Sequence, residues 1–121
     1  MIKVKNLIKT YGKFTALNKI NFEVEKSTIH GLLGENGAGK TTTMRCLLGL
    51  TYPDSGEMYI NNNLVAIKND YIRKQVSYLA GDFRPYENFT AEKYFKYILS
   101  IENNNSKKYL ELAERFKLDL T

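Results

Sequence analysis

Eight consecutive residues, Gly34-Glu35-Asn36-Gly37-Ala38-Gly39-Lys40-Thr41, constrain this chain more than anything else in it. They fit the phosphate-loop pattern G-x-x-x-x-G-K-[ST], whose meaning depends on what stands on either side. Upstream lies the nearly all-apolar run 29–33, which reads as a strand buried on both faces of an α/β sheet. Downstream, Met44, Leu47 and Leu48 fall at i, i+3 and i+4, which predicts one apolar face of a helix ending near Gly49. A strand, a glycine turn and a helix in that order aim successive backbone N–H groups and the positive end of a helix at one point, where phosphate oxygens are favoured. Gly34, Gly37 and Gly39 let the turn fold tightly and let a ligand approach the backbone. Lys40 supplies a mobile positive charge for the outer phosphates, Thr41 a hydroxyl for Mg²⁺, and Thr42 a further backbone amide.

The remaining segments arrange themselves around this loop. Ile2, Val4, Leu7 and Ile8 alternate loosely with polar residues, and Ile20, Phe22 and Val24 do so cleanly, so two antiparallel, one-faced strands are expected. Residues 52–56 make a turn, Met58 and Ile60 a short strand, and 61–63 a second turn into Leu64 and Val65. Asp70 can cap a short helix running to Gln75, and 76–79 reads as another strand. After an aromatic-rich loop, Thr90 is placed to cap a helix whose stripe is Ala91, Tyr94, Phe95, Ile98 and Leu99. A polar break at 103–105 precedes a last helix, capped by Ser106 and carrying Tyr109, Leu112, Ala113 and Phe116 on one face.

Composition excludes several classes. In 121 residues, 43% hydrophobic and 26% charged with two prolines, disorder and fibrous repeats are ruled out. Cys46, the single cysteine, forms no intrachain disulfide and reads as a small buried apolar group. A net charge of +5 invites a polyanion partner, but the excess is +4 over 1–26, −1 over 27–66 and +2 over 67–121. Charge spread in this way marks solvated faces, and no nucleic acid is expected. There is no apolar run near 18 residues and no secretion signal, so a cytoplasmic chain is expected.

The residues around the loop narrow the class. The segment 34–42 resembles the G-x-N-G-A-G-K-[ST]-T version found in the ATPases of ABC transporters, and 43–50 is similar to their bacterial drug and antibiotic export branch. Similarity continues at Tyr11-Gly12-Lys13 with Ala16-Leu17 (the family's adenine-contacting segment), at 53–57, and at 76–79, the strand leading into the family's Q-loop. The implied fold is α/β: an ABC-type P-loop core with an N-terminal antiparallel β segment over 1–28, the core through the Q-loop region over 29–82, and the start of a helical subdomain over 83–121. The resemblance implies ATP and Mg²⁺ as cofactors, held by Tyr11, Asn36, Gly37, Ala38, Gly39, Lys40, Thr41 and Thr42. Tyr11 would stack on adenine; read by itself it is an ordinary strand-end aromatic.

Two departures from the family bear on function. At the end of the Q-loop strand, where the family has Gln or Glu, this chain has Ala80-Gly81-Asp82, which leaves Asp82 as the stand-in metal ligand beside Thr41. Ser27 stands at a turn position where the family has glycine. The LSGGQ-like signature, the Walker B aspartate with its glutamate, and the switch histidine do not occur in 1–121, so the chain alone is expected to bind nucleotide with negligible turnover. His30 reads as a strand histidine without a catalytic role. The resemblance further implies a second ATPase subunit and a membrane permease as partners, with the protein at the inner face of the membrane. Phe83, Arg84, Tyr86 and Phe89 are either permease contacts or packing inside the helical subdomain. A non-catalytic nucleotide-binding module is the competing reading.

Overall fold

The computed structural model describes residues 1–66, 72, 74–101 and 106–121. They divide into two compact units, Met1–Tyr78 and Leu79–Thr121. In the first, β1 (Ile2–Tyr11), β2 (Phe14–Val24), β3 (Ser55–Ile60) and β4 (Asn63–Leu64) form one antiparallel sheet in the order β2-β1-β3-β4. Helix α1 (Lys40–Leu47) lies between β2 and β3 in sequence. The two expected N-terminal strands form a hairpin closed by Gly12 and Lys13, with Ile2 opposite Val24, Val4 opposite Phe22 and Tyr11 opposite Phe14.

Strict alternation would send Val4 and Leu7 to opposite faces of the sheet. Both are buried. The register shifts between them, and Asn6 sits at φ 48° in the irregularity. Its N–H donates to Asn21 Oδ1 at 2.8 Å, while Asn21 Nδ2 donates to the Lys19 carbonyl at 2.7 Å and to Asn6 Oδ1 at 3.2 Å. An asparagine pair thus takes up polar groups at the irregularity, and the strand turns Leu7 back to the core face. The core consists of Val4, Leu7, Leu17, Cys46, Leu47 and Met58, flanked by Ile2, Ile20, Phe22 and Val65. Burial of each large apolar side chain contributes about 1.5–3 kcal/mol. Cys46 is fully enclosed, and that burial pushes its thiol pKa up.

Helix α1 ends as expected near Gly49, through a Schellman closure. Gly49, at φ 67°, donates its N–H to the Cys46 carbonyl, and Leu50 donates to the Arg45 carbonyl. Its buried stripe differs from the expected one, being Thr43, Cys46 and Leu47. Met44 stays 43% exposed, because it borders an open apolar groove of about 240 Å³ shared with Phe22, His30 and Leu32. There the His30 ring stacks on Phe22 at 6.2 Å.

Two expected strands are absent. Residues 29–33 form no strand, and Ile29 and Leu33 are fully exposed. Residues 76–79 form none either. A strand exists only through the neighbour that takes its hydrogen bonds, and every ladder among the described residues belongs to the antiparallel sheet. The helix capped by Asp70 falls largely outside the described residues, although Ile72 is helical and buried. The polar break at 103–105 lies outside them as well. Ser27 occupies the left-handed region at φ 62°, which accounts physically for glycine as the residue that suits this turn.

In the second unit, α2 (Ala91–Ile101) and α3 (Lys108–Phe116) follow the loop 80–90. The Thr90 hydroxyl accepts from the Lys93 N–H at 3.3 Å, the expected cap. Ala91, Tyr94, Phe95, Ile98 and Leu99 are all partly covered, as their spacing predicts. The Ser106 hydroxyl accepts from the Lys108 N–H at 3.2 Å, and Ala113 is the buried residue of α3. Leu112 and Phe116 of the expected α3 stripe stay exposed.

One polar junction fastens the turn before β3 onto the end of β1. Asp54 donates its N–H to the Ile8 carbonyl, and its carboxylate accepts from the Thr10 hydroxyl and amide and from the Lys9 ammonium. The Thr10 hydroxyl, then Lys9, then the Thr10 amide pull this carboxyl from an ordinary 3.8 to about 2. A depressed carboxylate pKa gives stability that is complete above the unfolded value and lost as pH falls through the folded one. Asp54→Asn should therefore lower the urea midpoint at pH 6, and its deficit against the parent chain should close between pH 4 and pH 2. A deficit that does not change over that window contradicts the assignment.

Candidate functional site

The phosphate-loop residues lie between the end of β2 and the start of α1, and the backbone fixes how close the two come. Gly39 is the residue before α1, at φ 84°, a conformation that L side chains rarely adopt. A Cβ there would stand 2.5 Å from the Ala16 carbonyl oxygen and 2.6 Å from Leu17 Cδ2. Glycine is thus required twice over, for its dihedral angle and for the contact of the loop with β2. From this point the helix starts at once, with the Thr43 N–H donating to the Gly39 carbonyl at 2.8 Å and the Thr43 hydroxyl to the same oxygen at 3.0 Å. The N–H groups of Lys40, Thr41 and Thr42 precede that first helical bond and form the positive end of α1. No acidic residue stands in its first turn.

A cavity of about 270 Å³ opens over these groups. Asn36, Gly37 and Gly39 of the loop line it, with Lys40, Thr41 and Thr42 of the helix, and Phe14 and Ala16 of β2 form its apolar side. Ala38 does not line it; its N–H closes a turn onto the Glu35 carbonyl at 3.1 Å. Lys40 reaches back over the loop, its ammonium donating to the carbonyls of Gly34 at 2.6 Å and Glu35 at 2.7 Å. An ammonium has three donors, so this lysine can hold the loop closed with two and still offer a third to an anion. Among the described residues no cluster of three or more His, Cys, Asp or Glu side chains could hold a metal ion. The donor set present, amides, one ammonium and the Thr41 hydroxyl, suits an anion that brings most of a hard cation's oxygen ligands with it.

Tyr11 stands at the end of β1, 48% exposed, and is not part of the cavity wall. Its cross-strand partner Phe14 is. Directly opposed residues of an antiparallel pair share a face of the sheet, so Tyr11 sits beside the cavity's apolar side. Phe14 is a site residue that sequence reasoning missed; its only signal is its place as the first residue after a two-residue glycine turn. Asp82 belongs to the other compact unit, in a turn, exposed. Also in that unit, Phe83 packs edge-on to Tyr94 at 5.7 Å, and Tyr86 and Phe89 pack edge-on to Tyr97 at 6.0 and 5.9 Å. Each of the three loop rings remains between 39% and 59% exposed, so each packs on the helix by one part and meets solvent by another. None of the described helices is long and apolar enough to cross a membrane.

A glycine loop entering a helix N-terminus, with a lysine folded back over it and a threonine hydroxyl beside it, has the make-up of a phosphate-binding P-loop. The family model described as ABC transporter matches residues 17–120, and the chain belongs to that family. A probable multidrug ABC transporter ATP-binding protein of Escherichia coli, YbhF, is 35% identical over 101 residues, 84% of this chain and 18% of that protein. The galactose/methyl galactoside import ATP-binding protein MglA of Clostridium perfringens is 41% identical over 69 residues, 57% of this chain and 13% of that protein. This chain thus spans less than a fifth of either relative. A solved ATP-binding subunit of an ABC transporter matches 98% of this chain and 51% of its own, at 28% identity and a TM-score of 0.77. The α/β cassette fold is therefore that of ABC ATPases, and this chain spans about half the length of the solved subunit.

Because the Gly39 position tolerates neither a Cβ nor a side-chain dihedral preference, Gly39→Ala should destabilise the chain by at least ~1–2 kcal/mol. Urea unfolding measures this. A midpoint equal to that of the parent would show that the loop is not held against β2.

Proposed function

We propose that this chain binds Mg-ATP and forms part of a transporter ATPase in which nucleotide binding is coupled to a membrane permease. The observation that carries the reading is the convergence of Lys40, Thr41, Thr42 and the loop glycines on one cavity whose other side is the aromatic end of the β1–β2 hairpin. In this reading, backbone amides of 36–42 hold the phosphate oxygens, and Lys40 offers its third donor to the outer phosphates. The Thr41 hydroxyl would ligate Mg²⁺, which would neutralise phosphate charge when bound. Tyr11 stacks on the base, with Phe14 as the neighbouring apolar surface. A P-loop orients phosphate, while in-line attack needs a positioned water and charge stabilisation from elsewhere. Those elements are proposed to belong to the intact protein and to a second ATPase subunit facing this one.

Export of a drug-like or antibiotic substrate, from the cytoplasmic face of the membrane, is the direction we favour. Its support is that similarity to the multidrug relative extends over 84% of the chain, against 57% for the sugar importer. The half-exposed rings of Phe83, Tyr86 and Phe89 are the proposed permease contacts, since aromatic anchors with one free surface suit a protein interface.

Calorimetry tests the binding claim. Lys40→Ala removes a charge-assisted donor to phosphate, so Mg-ATP affinity should fall by at least roughly tenfold; equal affinity in the variant would sink the reading. In the intact subunit, replacing Phe83 and Tyr86 by alanine should leave ATP binding intact and uncouple transport. Normal transport by that variant contradicts the permease assignment.

A further inference from the structure

The proposed base-stacking ring stands at the exposed end of a strand, where a tyrosine would ordinarily sample several rotamers. Here it does not stand alone. The Lys9 ammonium lies over the Tyr11 ring at 5.3 Å from its centroid, within the range of a cation–π contact. Lys9 is in turn fixed: its side chain is only 15% exposed, and its Nζ donates to Asp54 Oδ1 at 2.9 Å. Asp54 is anchored by its N–H to the Ile8 carbonyl at 2.8 Å and by its Oδ2, which accepts from the Thr10 amide and hydroxyl at 2.6 Å each. Register shifts on either side of Lys9 let consecutive residues, Lys9 and Thr10, both turn to the same carboxylate.

We propose that Asp54 and Lys9 are positioning residues for the base: the carboxylate holds the ammonium, and the ammonium holds the Tyr11 ring by one face, leaving the other for a purine. This rests on the reading of the cavity as a nucleotide site. Two effects follow. The ring is ordered before the ligand arrives, so less rotamer freedom is lost on binding. A cation on one face draws electron density from the ring and favours an electron-rich base on the other. Neither effect reaches the phosphates. Lys9 therefore acts on recognition of the base, in distinction to Lys40, which acts on the phosphate chain.

The test compares two ligands on the full chain by calorimetry, Mg-ATP and Mg-tripolyphosphate. Lys9→Met should weaken Mg-ATP roughly threefold to fivefold and leave Mg-tripolyphosphate within error of the parent. Lys9→Arg, which keeps a planar cation able to pair with Asp54 and stack on tyrosine, should restore Mg-ATP affinity. Asp54→Asn should repeat the Lys9→Met pattern. In a Tyr11→Ala background, Lys9→Met should add nothing. Equal weakening of both ligands by Lys9→Met, a persistent effect without Tyr11, or failure of Lys9→Arg to rescue would each overturn the proposal. Parent affinities that are the same for both ligands would overturn it too, while leaving the phosphate site standing. A parent that binds neither ligand would overturn the nucleotide reading itself, and this proposal with it.

Discussion

The contact between Gly39 and the backbone of Ala16 is the constraint on which the site depends. A loop of small and polar residues has little apolar surface with which to hold itself in place. This one is pinned at its last residue, where the missing Cβ lets the chain lie against β2 and enter a helix directly. The helix then buries Thr43, Cys46 and Leu47 on the sheet. The same contact brings Ala16, and with it Phe14, beside the amides of α1. Tight packing of backbone on backbone thus places an apolar wall and a positive helix end around one cavity, and the two halves of a nucleotide require those two environments.

A second constraint lies at the far edge of the hairpin. The end of β1 would fray as a two-stranded ribbon, since isolated hairpins are marginal in water. Asp54 ties it to the turn before β3 with four hydrogen bonds, to Ile8, Lys9 and twice to Thr10. This pairing of Lys9 and Asp54 is partly exposed, and an isolated surface ion pair contributes little. Its worth here is geometric: it fixes which way the residues preceding the glycine turn present their side chains. Loop and hairpin are therefore held by different means, one by steric necessity and one by a polar network.

Much of this was legible in the residues. The phosphate loop announces itself by spacing, and the alternation of Ile20, Phe22 and Val24 gives β2 directly. Thr90 caps as its position suggests, and Ser106, one residue before the N-cap Lys107, still accepts from the Lys108 N–H, because such bonds are local ones between a side chain and amides two or three residues on. What could not be read depends on distant partners. The strands expected at 29–33 and 76–79 have the right composition, but strand formation is decided by a neighbour, and no ladder reaches them among the described residues. The irregularity at Asn6 is not legible locally, because the Asn21 side chain that accepts its N–H lies on another strand. Likewise the spacing of Met44 predicts core, yet it borders a groove walled in part by Thr28, His30 and Leu32, whose path the spacing does not give. The relation of Phe14 to the loop exists only once β2 and α1 are packed together, so no local pattern marks it.

The most direct test of the account is a two-dimensional amide NMR titration of the chain with Mg-ATP. The arrangement predicts the largest shifts at the amides of 36–42, with a second group at Tyr11, Phe14 and Ala16 at the hairpin end. Shifts confined to other parts of the chain, or none at saturating ligand, would contradict the claim that loop and hairpin together form one nucleotide site.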